Sequence, residues 1–482
     1  MHSSQTKTSA KWIAMLAVGL GVFMGTLDAS IINVSLPTLV QSLETDFATI
    51  QWVILGYILV VTSMMLGAAR LGDMLDKKKL YAVGLALFTL GSLLCGFAPD
   101  VGWLIGFRIL QGCGAVITQA LGAAIIVEVF PESERGKALG IIGGIVSVGL
   151  SLGPAAGGII IGLLGWRWIF WINVPIGLMA MAIVLRFIPT ARGHLPGQRF
   201  DGGGAAVLFL CLGSYALAMT LGQREGFGSP TVQALLFLAC LALLAFLLLE
   251  RRLSQPMIDL GLFRNGLFSL NVLMSLLTFI VLGTSLLIMP FYLQYVLGLP
   301  TGRVGLLLMV IPLGMGLIAP LAGWLSDRHG PRGISFSGLC LISAGCLAAS
   351  SLGSSATVLE YILKVSPIGI GIGLFQSPNN SAIMGAAPMH RLGIASGLMA
   401  LSRNLGQTSG IPLGGALFTA YALSISGAET LDIAAAPTAC LVAGFAGSFR
   451  VAACLGLANA GLAAWAWCLA RRTGSLPVRS GE

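Results

Sequence analysis

The feature that confines this chain most tightly is a succession of apolar runs, each long enough to cross a bilayer as a helix. About fourteen such runs lie between Trp12 and Ala470, separated by charged or Gly/Pro-rich breaks. Hydrocarbon leaves no water for unpaired backbone groups, so continuous runs of this length predict helices. Composition agrees, with 56% of the 482 residues apolar and 9% charged, where a soluble chain carries about a quarter. The expected fold is therefore an all-α integral membrane protein. Basic residues gather in alternate connections, with Lys77, Lys78, Lys79, Arg135, Arg251, Arg252, Arg328, Arg332 and Arg471 on one side and little beyond Arg167, Arg224 and Arg303 on the other. This asymmetry predicts a cytoplasmic location for both termini. It accounts for the net charge of +9 without a nucleic-acid partner.

Other chemistries find little to work with. The nine cysteines are dispersed through apolar runs with no CxxC spacing, and His2, His194, His329 and His390 are scattered over connections. Neither pattern makes a disulfide framework or a metal site. There is no GxxxxGK[ST] loop, so no ATP-hydrolysing site and no cofactor is expected. Lys7 and Lys11 precede the first run as in a signal peptide, but the run is too long and holds Asp28, which predicts an uncleaved first helix.

Two cytoplasmic turns repeat one pattern. Ala69-Arg70-Leu71-Gly72-Asp73-Met74-Leu75-Asp76-Lys77 follows the second run, and Gly323-Trp324-Leu325-Ser326-Asp327-Arg328-His329-Gly330-Pro331 follows the tenth. Each sets a small residue four before an Asp and then a basic cluster. This predicts two related halves: a six-helix bundle over 1–200, two inserted helices (203–222 and 231–249) with linkers over 201–265, and a second six-helix bundle over 266–482. The longest connection is expected on the outer side, over 422–448.

Asp28 is the one charged residue between Lys11 and Glu44. A carboxylate at membrane depth costs about 2.5–3.5 kcal/mol on the insertion scale, so it faces a cavity or a partner, or holds a proton. Of the eighteen acids in the chain, it alone falls deep in a run. Burial disfavours the charged carboxyl and a nearby cation favours it, so a site alternating between these surroundings can take up and release a proton. Arg108 is the natural cation. At about 1.5 Å per residue the two stand at comparable depth in their runs. A permanent structural pair is the competing reading.

These stretches resemble the major facilitator superfamily along essentially the whole chain. The two turns resemble its loop signature GxxxD(R/K)xGRR, although Ala69, Met74 and Asp76 stand where Gly, a basic residue and Gly are usual. Arg108 with Gln111-Gly112 resembles its fourth-helix signature. Gly140, Gly149, Gly153, Pro154, Gly157 and Gly158 match the fifth-helix pattern G(x8)G(x3)GPxxGG of its antiporters at every spacing. Leu27-Asp28 to Pro37 and Trp166-Arg167-Trp168-Ile169-Phe170-Trp171-Ile172-Asn173-Val174-Pro175 are similar to stretches typical of its fourteen-helix drug:proton antiporters. The resemblance implies a gating or packing role for Asp73, Asp327, Arg328 and the fifth-helix residues.

Several polar residues inside runs are candidates to line a substrate cavity: Asn33, Tyr57, Gln119, Gln294, Asn379 and Arg403. Interhelical hydrogen bonding is the competing reading for each. The expected function is a proton-coupled antiporter of the cytoplasmic membrane, exporting amphipathic compounds, cations among them, by alternating access. A dedicated exporter of one metabolite is the alternative, and a membrane enzyme or receptor the rival class. Expected partners are substrate, protons and the bilayer, with a periplasmic adaptor and outer-membrane channel as further candidates and a monomer as the working unit.

Overall fold

The computed structural model describes residues 2–131, 134–188, 201–253, 260–386, 392–426, 433 and 435–472. No strand occurs among them, and fourteen long helices carry the fold. In chain order they are α1 (His2–Ser42), α2 (Trp52–Met74), α3 (Lys77–Gly96), α4 (Val101–Val129), α5 (Arg135–Leu164), α6 (Asn173–Phe187) and α7 (Gly202–Glu225). The series continues with α8 (Pro230–Arg252), α9 (Gly266–Phe291), α10 (Val310–His329), α11 (Pro331–Ala349), α12 (Val358–Ala386), α13 (Leu392–Ser426) and α14 (Thr438–Arg472). Among the described residues thirteen helices are long and apolar enough to cross a membrane. The remaining long helix, α13, carries Ser402, Arg403, Asn404, Gln407 and Thr408 in its middle. Large apolar side chains such as Phe237, Leu163 and Leu317 are exposed on the outer surface, which suits lipid and not water.

Helix ends are capped by side chains where the sequence provides them. Asp100 accepts from the Trp103 amide at 3.0 Å to start α4, and Asn265 accepts from the Leu267 amide at 3.1 Å to start α9. Such caps satisfy amides that have no partner inside the helix.

The chain divides into two compact units. One comprises Met1–Leu221, Phe227–Met257 and Leu299–Met309, and the other Gly222–Gly226, Ile258–Gly298 and Val310–Glu482. In the first unit the Ser30 hydroxyl of α1 donates to the Leu150 carbonyl of α5 at 2.7 Å. The indole of Trp52 on α2 donates to the Thr220 hydroxyl of α7 at 3.1 Å. In the second unit Thr284 on α9 donates to the Gly410 carbonyl of α13 at 3.0 Å. Asn459 on α14 donates to the Met274 carbonyl of α9 at 3.0 Å.

Three features refine the sequence expectations. The tenth run forms one span, Thr301–Ser326, but its helix is interrupted at Met309, between a short helix, Thr301–Leu308, and α10. Pro312 explains the break, because it lacks the N–H that would bond the Leu308 carbonyl four residues back. The outer connection expected over 422–448 shrinks to the residues between Ser426 and Thr438, because α13 and α14 both extend into it. Most of what remains, 427–432 and 434, lies outside the described residues.

The third feature lies in the first cytoplasmic turn, where the sequence already sets Asp76 in place of the usual glycine. Asp76 is the N-cap of α3, accepting from the Lys78 amide at 3.0 Å and the Lys79 amide at 3.3 Å. Gly330 occupies the matching place in the second turn and adopts φ 83°, a left-handed conformation that suits glycine. The first turn thus replaces a glycine corner with a side-chain cap. The side chains of Asp73 and Asp327 lie outside the described residues.

Candidate functional site

The first unit buries a charged pair where five helices meet. Asp28 on α1 is 1% exposed and Arg108 on α4 is fully enclosed. Arg108 Nη1 donates to Asp28 Oδ2 at 2.7 Å. The other carboxylate oxygen, Oδ1, accepts from Gln111 Nε2 at 2.9 Å and from Asn173 Nδ2 of α6 at 3.0 Å. A carboxylate in a low-dielectric interior requires such donors, and charge-assisted bonds are the strongest available.

The cation is held as closely. Arg108 Nη1 also donates to Gln111 Oε1 at 2.6 Å, and Arg108 Nε donates to the Val53 carbonyl of α2 at 3.1 Å. Its guanidinium carbon lies 4.4 Å from the centre of the Tyr57 ring, within cation–π range. Ser92 of α3 accepts from Gln111 Nε2 at 2.6 Å. Among the described residues three buried polar atoms of this cluster have no hydrogen-bond partner, Arg108 Nη2, Asn173 Oδ1 and the Tyr57 hydroxyl. The network is therefore saturated around the carboxylate and incomplete at its edges.

Local sequence explains the convergence. Arg108 and Gln111 are three apart on α4 and so share a face. Gly91 of α3 allows the approach, since a Cβ there would lie 2.7 Å from the Gln111 Cα. Asn173 begins α6 just after the short helix Trp168–Trp171, which seats the amide beside Asp28.

Of the residues expected to line a cavity, the structure brings Tyr57 and Gln119 to this cluster. Tyr57 is buried against Arg108, and its hydroxyl adjoins the side chain of Gln119, which is otherwise exposed. Asn33 is buried but its amide donates within its own helix, to the carbonyls of Ala29 and Ser30 at 3.1 and 3.3 Å. Asn379, Gln294 and Arg403 belong to the second unit. Asn379 Nδ2 donates to the Asn271 carbonyl at 3.2 Å. Gln294 sits in the π-helical turn Tyr292–Val296 after α9.

The fifth-helix glycines form two faces of α5, which runs unbroken through Pro154. Gly149, Gly153 and Gly157 pack on α1, and a Cβ at Gly153 would fall 2.6 Å from the Cβ of Ser30. Gly158 faces the short helix Thr301–Leu308, where a Cβ would fall 2.5 Å from the Thr301 carbonyl oxygen. A Cβ at Gly305 of that short helix would collide with the Pro154 carbonyl. Gly140 lies in α5, with its surroundings outside the described residues. Arg328 is exposed, its guanidinium 4.9 Å from the Trp324 ring centre.

Asn173, Gln111 and Ser92 complete the cluster but are not among the residues expected to act. Asn173 carried a signal, as an amide inside the Trp-rich stretch ahead of α6. Ser92 carried none. Comparison with known proteins decides the family, since a sequence profile described as Major Facilitator Superfamily matches residues 18–411 and 272–475. The chain belongs to the major facilitator superfamily.

Among curated relatives of this superfamily member, the riboflavin transporter RibZ of Clostridioides difficile is 36% identical over 414 residues, spanning 85% of this chain and 88% of that protein. The multidrug resistance protein Stp of Mycobacterium tuberculosis is 33% identical over 412 residues, spanning 85% of this chain and 76% of that protein. The inward-facing, unoccupied structure of a bacterial homologue of the human lysosomal transporter Spinster shares the fold, with TM-score 0.68 and 15% identity. The match covers 95% of this chain and 97% of that one.

Proposed function

We propose that this transporter is a proton-coupled antiporter that exports amphipathic compounds across the cytoplasmic membrane by alternating access, with both termini in the cytoplasm. The observation that carries the reading is the buried Asp28, ringed by Arg108, Gln111 and Asn173. In this arrangement every donor around Asp28 suits a carboxylate, and Arg108 is its counter-charge. Protonation of Asp28 leaves Arg108 as an uncompensated buried cation, an arrangement that costs several kcal/mol. The protonated protein escapes that cost by leaving the paired arrangement, so the proton favours one conformation and the ionised pair the other. Substrate that binds the ionised conformation better than the protonated one is then exchanged for a proton. Tyr57 and Gln119 border the cluster and would report its state to a substrate cavity.

The names of the relatives support two breadths of substrate. Stp and the tetracenomycin C resistance and export protein of Streptomyces glaucescens support export of drugs. RibZ, named as a riboflavin transporter, favours a second reading, a dedicated exporter of one metabolite. Uptake into everted vesicles with an acid interior tests both, using riboflavin and a panel of unrelated toxic dyes. Accumulation of several panel members supports the multidrug reading, and accumulation of riboflavin alone supports the dedicated one. Asp28→Asn that accumulates substrate as wild type does, with the same response to the pH gradient, would refute the coupling.

A further inference from the structure

Among the described residues the second unit holds a cation inside a helix with no counter-charge. Arg403 is half-buried about a third of the way along α13, and it makes no hydrogen bond or ion pair among the described residues. At about 1.5 Å per residue it stands roughly 17 Å along the helix from Leu392, well inside the helix and not at its end. Its neighbour Ser402 fixes the register, since the Ser402 hydroxyl meets Ser275 Oγ of α9 at 3.1 Å. One turn back on α9, the Asn271 carbonyl accepts from Asn379 Nδ2 of α12. Arg403 and Asn379 therefore stand within about one helical turn of the same depth.

Two amides at this level are also incomplete. Asn379 is 1% exposed and its Oδ1 has no partner, and the Nδ2 of Asn404, the residue after Arg403, has none. Buried polar groups are almost always hydrogen-bonded, and an arginine at membrane depth is normally paired. A guanidinium, a free amide donor and a free amide acceptor at about one depth are groups suited to an ionised oxygen that carries a hydroxyl or N–H beside it. In the first unit the buried carboxylate of Asp28 is already matched by Arg108 and two amides.

We infer that the substrate is an amphipathic acid, presenting a carboxylate, enolate or phenolate oxygen to Arg403, with Asn404 donating and Asn379 accepting beside it. This rests on the exporter reading but departs from its cationic expectation, since the unmatched charge at depth is positive. An anionic lipid headgroup presents similar oxygens, so the test separates the two sources.

The experiment is equilibrium binding of 1-pyrenebutyrate and of its methyl ester to the purified full-length protein in neutral detergent, read by fluorescence anisotropy. Wild type should bind the carboxylate at least about tenfold more tightly than the ester, the size expected of a charge-assisted pair. Arg403→Gln should abolish that preference while leaving ester affinity unchanged, and Arg403→Lys should retain part of it. Equal affinity for the two probes, no binding of either, or a preference that survives Arg403→Gln would overturn the inference. So would loss of the preference on adding phosphatidylglycerol, which would make Arg403 a headgroup site. Where Arg403→Gln does not fold, Arg403→Lys carries the test, because losing the bidentate fork should lower the preference severalfold. No proton gradient enters this measurement, so its failure is distinct from failure of the coupling tested in vesicles.

Discussion

Removing one member of the Asp28–Arg108 pair should destabilise the protein far more than removing both. In Asp28→Asn the side chain keeps its size, but Arg108 loses the counter-charge 2.7 Å away while remaining fully enclosed. Breaking a buried pair in this way costs about 3–5 kcal/mol, whereas replacing both charges is close to neutral. For a unit of this size each kcal/mol shifts Tm by about 2–4 °C, so the single variant should lose on the order of 10 °C. The double variant Asp28→Asn/Arg108→Gln should return to within about 5 °C of wild type, a strong positive coupling. The assay is thermal unfolding of purified protein at neutral pH, followed by intrinsic fluorescence. A wild-type Tm for Asp28→Asn, or a double variant whose loss equals the sum of the singles, would show that the two charges do not support one another.

Other substitutions should sort by burial. Asn173→Ala removes one donor to Asp28, and a bond to a charged group is worth about 1.5–3 kcal/mol, so a smaller but clear fall in Tm is expected in the same assay. Gly153→Leu forces a side chain into Ser30, and overpacking of that kind costs about 1–3 kcal/mol or more, visible as a lower Tm and reduced yield. Lys77→Ala breaks the pair with Glu128, whose side chain is 38% exposed. Solvent screening keeps such a pair near 0–1 kcal/mol, so its Tm should move by no more than about 4 °C.

The spans were legible in the sequence because lipid demands long uninterrupted apolar runs, and that demand leaves few alternatives. Breaks within a run were less visible. Pro312 interrupts the tenth run at Met309, yet Pro154 sits inside an unbroken α5, so proline alone does not mark a helix end. Depth also was readable: Asp28 and Arg108 could be set at one level from their distances to the ends of their runs, and the structure puts them in contact. What depth could not supply was azimuth. Whether Asn33 faces a cavity or folds back on Ala29, and whether Asn173 reaches Asp28, depends on helix rotation and on the close approach permitted by residues such as Gly91. Apolar composition surrounds each helix too evenly to encode that rotation.

The turn at Asp76 shows how a departure from a familiar pattern can still be read physically. Aspartate in place of glycine cannot comfortably form the left-handed corner seen at Gly330. It offers a carboxylate to the first amides of α3 instead, so the turn is kept by different chemistry.

The central claim is that Asp28 gives up its proton when the substrate-bound conformation forms. It is tested most directly by adding an exported compound to purified protein in weakly buffered detergent and following a pH indicator dye. Wild type should release protons in proportion to occupancy, and Asp28→Asn, bound to the same occupancy, should release none. Proton release that persists undiminished in Asp28→Asn, or none from wild type at saturation, would contradict the account.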